Sequence, residues 1–192
     1  MIDFVFPDGN EKEFIEMAGK LGYNSLCFVY SLKDFNSKKK KYSGFDIKYG
    51  VLVDEKKVPK NKLSDFVLVK CRENTRNVIE KNKDLIVFGF ELDNKKDFIH
   101  QRRSGLNHIM CTLAAKNNIK IAFSFSSLLN ADDRQRNVLL GRIESNIKLC
   151  RKYKTKVVVG SFASKPYEMR AFNDLLALFS TLKLTSSEID NF

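Results

Sequence analysis

A chain of 192 residues, 43% apolar and 30% charged, can bury one sizeable core; it is short for two and too apolar for a disordered tract. Its 34 Lys and Arg outnumber its 23 Asp and Glu, for a formal charge of +11. A compact domain this basic repels itself and suits a polyanionic partner, with lysine spread over every solvated surface as the plainer alternative.

The run Phe4-Val5-Phe6 is stopped by Pro7-Asp8-Gly9. Asn10, with Glu13 three residues on, predicts a capping box and a helix to about Leu21, its inward stripe Phe14, Ile15, Met17, Ala18 and Leu21. Gly22 ends it, and Leu26 to Tyr30 reads as a buried strand. Residues 31–43 are polar and include the run Lys38 to Lys41. Strands follow at Phe45 to Val53 and Phe66 to Lys70, then a short helix from Glu73 to about Lys83 with Val78 and Ile79 inward. Leu85 to Gly89 is a strand, and a polar loop from Asp93 to Asp97 leads to a helix from about Ser104 to Lys116, with Leu106, Ile109, Met110 and Leu113 inward. Lys120 to Ser124 is the next strand. The longest helix starts around Asn130-Ala131-Asp132-Asp133 and runs to about Lys154, with acidic residues at its positive end and Arg151, Lys152 and Lys154 at its negative end. Val157 to Gly160 is the last strand, Phe172 to Leu182 a final helix, and the tail from Thr185 carries a short helical turn.

Repeated β-α units with fully apolar strands call for a parallel sheet covered by helices. About seven strands, mostly parallel, suit a small and imperfect TIM-barrel-like (β/α) barrel spanning 1–192 as a single domain. An open doubly wound sheet is the structural alternative. No window approaches the ~18 apolar residues of a membrane span. Cys27, Cys71, Cys111 and Cys150 lack metal-ligand spacing, and the N-terminus carries Asp3 and Asp8 where a signal peptide would be basic. A soluble protein of the reducing cytoplasm is expected.

In a barrel, function sits at the C-terminal ends of the strands. Those ends carry Lys70, Cys71 and Arg72; Glu91, Asp93 and then Arg102-Arg103-Ser104-Gly105; Ser124, Ser126 and Ser127; and Ser161, Ser164 and Lys165. Such a basic, hydroxyl-rich rim suits phosphate contacts. It is poor in catalytic groups. The first strand holds no histidine, and the chain has only His100 and His108, too few for a His-rich metal cradle. His108 reads as a loop-holding residue, a phosphate contact or, least favoured, a general base. Cys71, flanked by Lys70 and Arg72, reads as structural. Along the long helix, Leu139, Ile143, Ile147 and Cys150 form one apolar stripe with Arg142 flanking it. Between Ala131 and Lys156 stand eight basic residues against three acidic, a solvated face or a backbone-tracking surface for nucleic acid.

Arg102 to His108, then Leu113-Ala114-Ala115 and Ile121 to Ser124, together resemble the TIM-barrel-like protein subunit of archaeal and eukaryotic ribonuclease P, called protein component 3 or the 30-kilodalton subunit. The likeness continues through Asn146 to Tyr153, Gly160 to Ala163, Glu168-Met169-Arg170 and Asp174 to Leu178, and spans roughly residues 65–184. It implies a barrel related to the polymerase-and-histidinol-phosphatase (PHP) barrels but without a working metal site. It implies a protein with no catalytic residues and no cofactor of its own. In such an enzyme the RNA component, using Mg²⁺, removes the 5′ leader from precursor tRNA. This subunit would bind the catalytic domain of that RNA and meet precursor tRNA indirectly. Its implied partners are the small RRM-like (ferredoxin-like) subunit, with a heterotetramer as one arrangement of the pair, and the other ribonuclease P proteins. The positions carried over as RNA-facing are Arg102, His108, Lys152 and Arg170, with Arg103 beside Arg102; Arg72, Arg76 and Arg142 join them on charge and placement. The family's usual proline after the final arginine motif is replaced here by Phe172 or Asn173, so the last helix is expected to start differently. A degenerate barrel phosphoesterase acting on its own and a basic scaffold protein are the rival readings.

Overall fold

Seven strands, β1 (Ile2–Val5), β2 (Ser25–Ser31), β3 (Asp46–Val53), β4 (Phe66–Lys70), β5 (Ile86–Phe88), β6 (Lys120–Ser124) and β7 (Val157–Gly160), form one sheet in chain order. Every neighbouring pair is parallel. This computed structural model describes residues 1–38, 42, 44–59, 63–92, 96–97 and 102–190. The helices are α1 (Glu11–Lys20), α2 (Phe35–Lys38), α3 (Thr75–Lys81), α4 (His108–Lys116), α5 (Phe125–Leu129), α6 (Asp133–Tyr153) and α7 (Phe172–Thr181). Short 3₁₀ turns lie at Phe90–Leu92, Pro166–Glu168 and Ser186–Glu188.

The sheet curls until its two ends meet. Val5 bridges Ala163 in parallel, and the Phe6 amide donates to the Ala163 carbonyl at 2.8 Å. Elsewhere on this seam a side chain replaces the ladder: Asp3 Oδ1 accepts the Ser161 amide at 2.6 Å. The result is a nearly closed barrel, which removes the open doubly wound sheet as an alternative. Phe4, Cys27, Val29, Leu68, Ile86, Phe88, Ala122, Val158 and Phe162 fill its interior. The opposite faces of the strands pack beneath the helices in a second, larger cluster, as alternation along a strand requires.

The mouth of the barrel is stoppered. Phe162 lies 5.3 Å from Phe88 and 6.2 Å from Phe6, and Phe6 lies 6.2 Å from Phe88. Phe162 takes φ 49, a left-handed conformation costing about 1–2 kcal/mol, and it stands two positions after the end of β7. Barrel enzymes keep an open site at this end; here three aromatic rings occupy it.

The strand positions match the sequence reading closely, and several helix boundaries do not. Asn10 makes no capping bond to α1; its Oδ1 accepts the Asp8 amide instead, at 3.0 Å. α4 begins at His108, four residues later than expected, because Asn107 is the cap and accepts the Met110 amide. Its buried residues are Met110, Cys111 and Ala114, while Ile109 is exposed. Two short helices, α2 and α5, arise in segments read as loop and strand end. α6 is capped by Asp132, which accepts the Gln135 amide at 2.8 Å, and it buries Leu139, Ile143, Ile147 and Cys150 as its pattern dictates. Lys39 to Lys41, Asp93 and His100 lie outside the described residues. No helix among the described residues is long and apolar enough to cross a membrane.

Candidate functional site

The hydroxyl-rich rim is turned to structural use. Ser124 is buried and caps α5 by accepting the Ser127 amide. Ser126 Oγ donates to the Phe162 carbonyl at 2.9 Å, and its amide donates to the Ser161 carbonyl at 3.0 Å. Ser161 is buried, and its Oγ accepts the Arg170 amide at 3.2 Å. These hydroxyls hold the β6 and β7 ends together, while Ser164 is exposed.

The basic turn after β5 is fastened to α6 instead. Asp97 organises it. Its Oδ1 accepts the Arg103 amide at 2.9 Å and pairs with Arg142 through Nε at 2.9 Å and Nη2 at 2.8 Å. Its Oδ2 lies 3.9 Å from Arg102 Nη1. Burial pushes the Asp97 carboxyl up, but the Arg103 amide and the Arg142 and Arg102 guanidiniums outweigh it and hold the group below the usual carboxylate range. Arg142 also donates to the Glu91 carbonyl at 3.0 Å, and Asn146 Nδ2 donates to the Ser104 carbonyl at 2.9 Å. Gly105, at φ 77, presses so close to Phe90 that a Cβ would overlap the Phe90 carbonyl. Only glycine fits such a turn. Arg102 is then laid across α6 at Gly141, where a Cβ would fall inside the guanidinium. Half of its side chain stays exposed.

Further along the same helix, the His108 ring lies 6.4 Å from that of Tyr153, and Lys152 Nζ lies 5.7 Å from the Tyr153 centroid. His108 and Lys152 are both exposed. Arg102, His108 and Lys152 therefore share one strip, along the seam between α6 and the segment leading into α4, with the Arg103 backbone beside Arg102.

The remaining candidates stand elsewhere. Arg72 and Arg76 are exposed beside the start of α3, with Arg72 Nη1 3.8 Å from Asp54 Oδ1. Arg170 is half-buried in the loop after β7, its Nη1 donating to the Tyr167 carbonyl at 2.9 Å and its guanidinium 5.1 Å from the Phe125 centroid. These positions follow β4 and β7, whereas the strip follows β5. Arg142 is the correction. Its side chain is only 4% exposed and committed to Asp97, so it cannot reach outward to a phosphate; it positions the turn. The basic face of α6 is likewise partly consumed. Arg136 pairs with Asp133, Lys148 with Glu144, Arg151 with Glu188 and Lys156 with Asp190.

Sequence reasoning missed Asp97, Gly141, Asn146 and Tyr153. A glycine inside an otherwise regular helix was the one available signal, since it marks a close approach. Among the described residues, no group of three or more His, Cys, Asp or Glu is placed to hold a metal ion. The strip thus brings together an arginine seated on α6 and a lysine beside the Tyr153 ring, the kinds of group that meet phosphate oxygens in nucleic-acid interfaces.

The comparisons point the same way. Residues 95–192 match the family model described as RNase P subunit p30. The chain is 35% identical over 107 residues to ribonuclease P protein component 3 of Methanococcus maripaludis strain C6, a match covering 56% of this chain and 43% of that relative. It is 27% identical over 193 residues to the protein of the same name from Methanosarcina mazei, covering 95% and 79%. The aligned segment thus spans less than half of the Methanococcus relative. In three dimensions the chain superposes on a chain from a cryo-EM structure of archaeal ribonuclease P with mature tRNA, at a TM-score of 0.68 and 21% identity, covering 95% of this chain and 82% of the other. The matched half of the chain holds α6 and the Arg102–Arg103 turn, which residue chemistry singled out, and Arg170, which the resemblance carried over, and by that match the chain belongs to the RNase P subunit p30 family.

Proposed function

We propose that this chain is a protein subunit of ribonuclease P, supporting RNA-catalysed removal of the 5′ leader from precursor tRNA. One observation carries the reading: the Arg102–Arg103 turn is clamped to α6 by Asp97, Arg142 and Asn146, which fixes a half-exposed arginine on the strip that also bears His108 and Lys152. Cations fixed in advance lose little freedom on meeting a phosphate backbone, so the strip favours structured RNA over mobile ligands. By neutralising phosphates of the catalytic domain of the RNA, it stabilises the active fold and the Mg²⁺ that the RNA uses. The chain supplies no catalytic group and works in the cytoplasm with the small RRM-like subunit and the other ribonuclease P proteins. Family membership and the fold shared with a chain of an archaeal ribonuclease P structure support this assignment.

The test is Arg102→Ala, titrated against the RNA component at several salt concentrations and assayed in the reconstituted enzyme. Loss of one phosphate contact flattens the log–log salt slope by about 0.7–0.9 and lowers cleavage, with the thermal melt unchanged. Unaltered affinity, slope and cleavage would remove the strip from the RNA interface.

A further inference from the structure

Among the described residues, the most exposed large apolar side chain belongs to none of the features above. Tyr167 is 63% exposed, more than Met1, Leu32, Leu63 or Ile109. It is not on a loose loop. The Glu168 carboxylate, itself buried, accepts the Ser164 and Lys165 amides at 2.9 and 3.2 Å. The neighbouring Met169 is buried, and Tyr167 lies inside the 3₁₀ turn Pro166–Glu168. Behind it, the Arg170 amide is held by Ser161, and its guanidinium donates to the Tyr167 and Met169 carbonyls at 2.9 and 2.7 Å. A ring kept in water by a rigid turn forgoes burial that a small rearrangement of a mobile loop would recover.

One cation stands beside the ring and a second is bonded to its backbone. Lys165 Nζ lies 5.7 Å from the Tyr167 centroid, and the Arg170 guanidinium lies 5.1 Å from the half-buried Phe125 ring. Two aromatic–cation pairs are thereby joined through the bond from Arg170 to the Tyr167 carbonyl. The only carboxylate on the turn, Glu168, is buried and engaged. An exposed aromatic face with positive charge beside it, and no acidic group facing outward from the same turn, fits a ligand that is flat and apolar at one end and anionic at the other. A base with its 5′ or 3′ phosphate is such a ligand, and stacking accepts any base because each has a π-face.

We infer that Tyr167 is a stacking platform for one unpaired nucleotide of RNA, with Lys165 and Arg170 placed for its phosphates. The inference rests on the ribonuclease P reading and deepens it. The clamped strip along α6 tracks backbone, and the turn after β7 holds a base that has left the helix.

Tyr167→Ala, Tyr167→Phe and Lys165→Ala are compared with Arg102→Ala, using the RNA component of ribonuclease P and measuring affinity against salt. The ring carries the stack, so Tyr167→Phe keeps wild-type affinity. Tyr167→Ala weakens binding by roughly 5- to 150-fold, the range for one base on one ring, with no change in salt slope. Lys165→Ala flattens the slope instead. Chemical probing then finds one unpaired nucleotide that wild type protects and Tyr167→Ala does not. Should Tyr167→Ala bind RNA as wild type does while Arg102→Ala fails, the platform is wrong and the RNA reading stands. Should wild type show no salt-dependent RNA binding, the RNA reading itself fails. A Tyr167→Ala protein with full RNA affinity that no longer assembles with another subunit would make the turn a protein-docking surface and overturn the inference.

Discussion

Gly141 concentrates at one residue the conflict between making a helix and making a site. Glycine inside a helix is less favourable than alanine by about 0.5–1 kcal/mol, yet it stands near the middle of the longest helix in the chain. The gap above it is filled by the Arg102 guanidinium. Gly141→Ala is therefore expected to leave urea stability unchanged or slightly raised, through helix propensity, while lowering RNA affinity toward that of Arg102→Ala by pushing the guanidinium off its seat. Stability and RNA titrations on the same preparation separate the two effects, and an unchanged RNA affinity would show that Arg102 needs no seat. The arginines, His108 and Lys152 stood out in the sequence because charge and type are local properties. Arg142 looked like one of them. What distinguishes it is Asp97, 45 positions earlier in the chain, and no local pattern announces such a partner. Tyr167 drew no notice for the opposite reason: a lone aromatic in a loop is usually packed, and only the turn around it reveals that it is not.

Among the elements, the strands were legible to within two residues at either end, because a strand buried on both faces is a continuous apolar run. Helix starts were less so. The expected start of α4 at Ser104 ignored that Ser104 and Gly105 are held by Asn146 and Phe90, contacts made across the chain that keep this segment out of the helix until Asn107 caps it. α5 was hidden by a serine run that reads as a strand end and is in fact a cap. Such remote contacts hold Asp97 and the segment 102–107 in place. Removing Asp97 breaks its pair with the buried Arg142, and breaking a buried pair typically costs about 3–5 kcal/mol. Because Asp97 is itself partly exposed, the lower end of that range applies. Asp97→Ala should lower the denaturant midpoint accordingly and also weaken RNA binding, since Arg102 and Arg103 lose their anchor. Asp97→Ala combined with Arg142→Met should regain much of the stability and none of the binding. If the double variant binds RNA normally, the clamp does not position the turn.

Among the described residues, surface carboxylates stabilised by ion pairs are balanced against Asp3 and Glu91, two buried carboxyls whose pKa burial raises. Glu144, hydrogen-bonded to Lys183 and Lys148, and Glu188, hydrogen-bonded to Arg151, are both held at about 2. Asp3, on the barrel seam, is pushed up to about 6 by burial despite the bonds from Ser161 and Phe4. Glu91, fully buried with both oxygens unpartnered among the described residues, is pushed up by burial to about 7. The signs oppose each other. A carboxyl with a lowered folded-state pKa adds stability that is present above its ordinary value and lost as pH falls toward 2. A carboxyl with a raised one is fully favourable below its ordinary value, and its contribution is lost as pH rises through 6 and 7. Self-repulsion of a chain already at +11 adds to the loss on the acid side. Stability should therefore peak near pH 4–5, at the lower edge of the usual range of about 5–8, and decline toward pH 8. Glu91→Gln isolates the buried group, since an amide cannot ionise. The variant should match wild type near pH 4, below the ordinary value, and exceed it at pH 8, by an amount on the order of 3 kcal/mol at most, from a shift of 4.5 to about 7. In a chain of this size that is several degrees of melting temperature. Melting curves for the two proteins between pH 4 and 8 decide the matter: parallel profiles would mean that Glu91 does not titrate in the folded barrel, and converging profiles toward acid pH would identify it as the group that sets the alkaline slope.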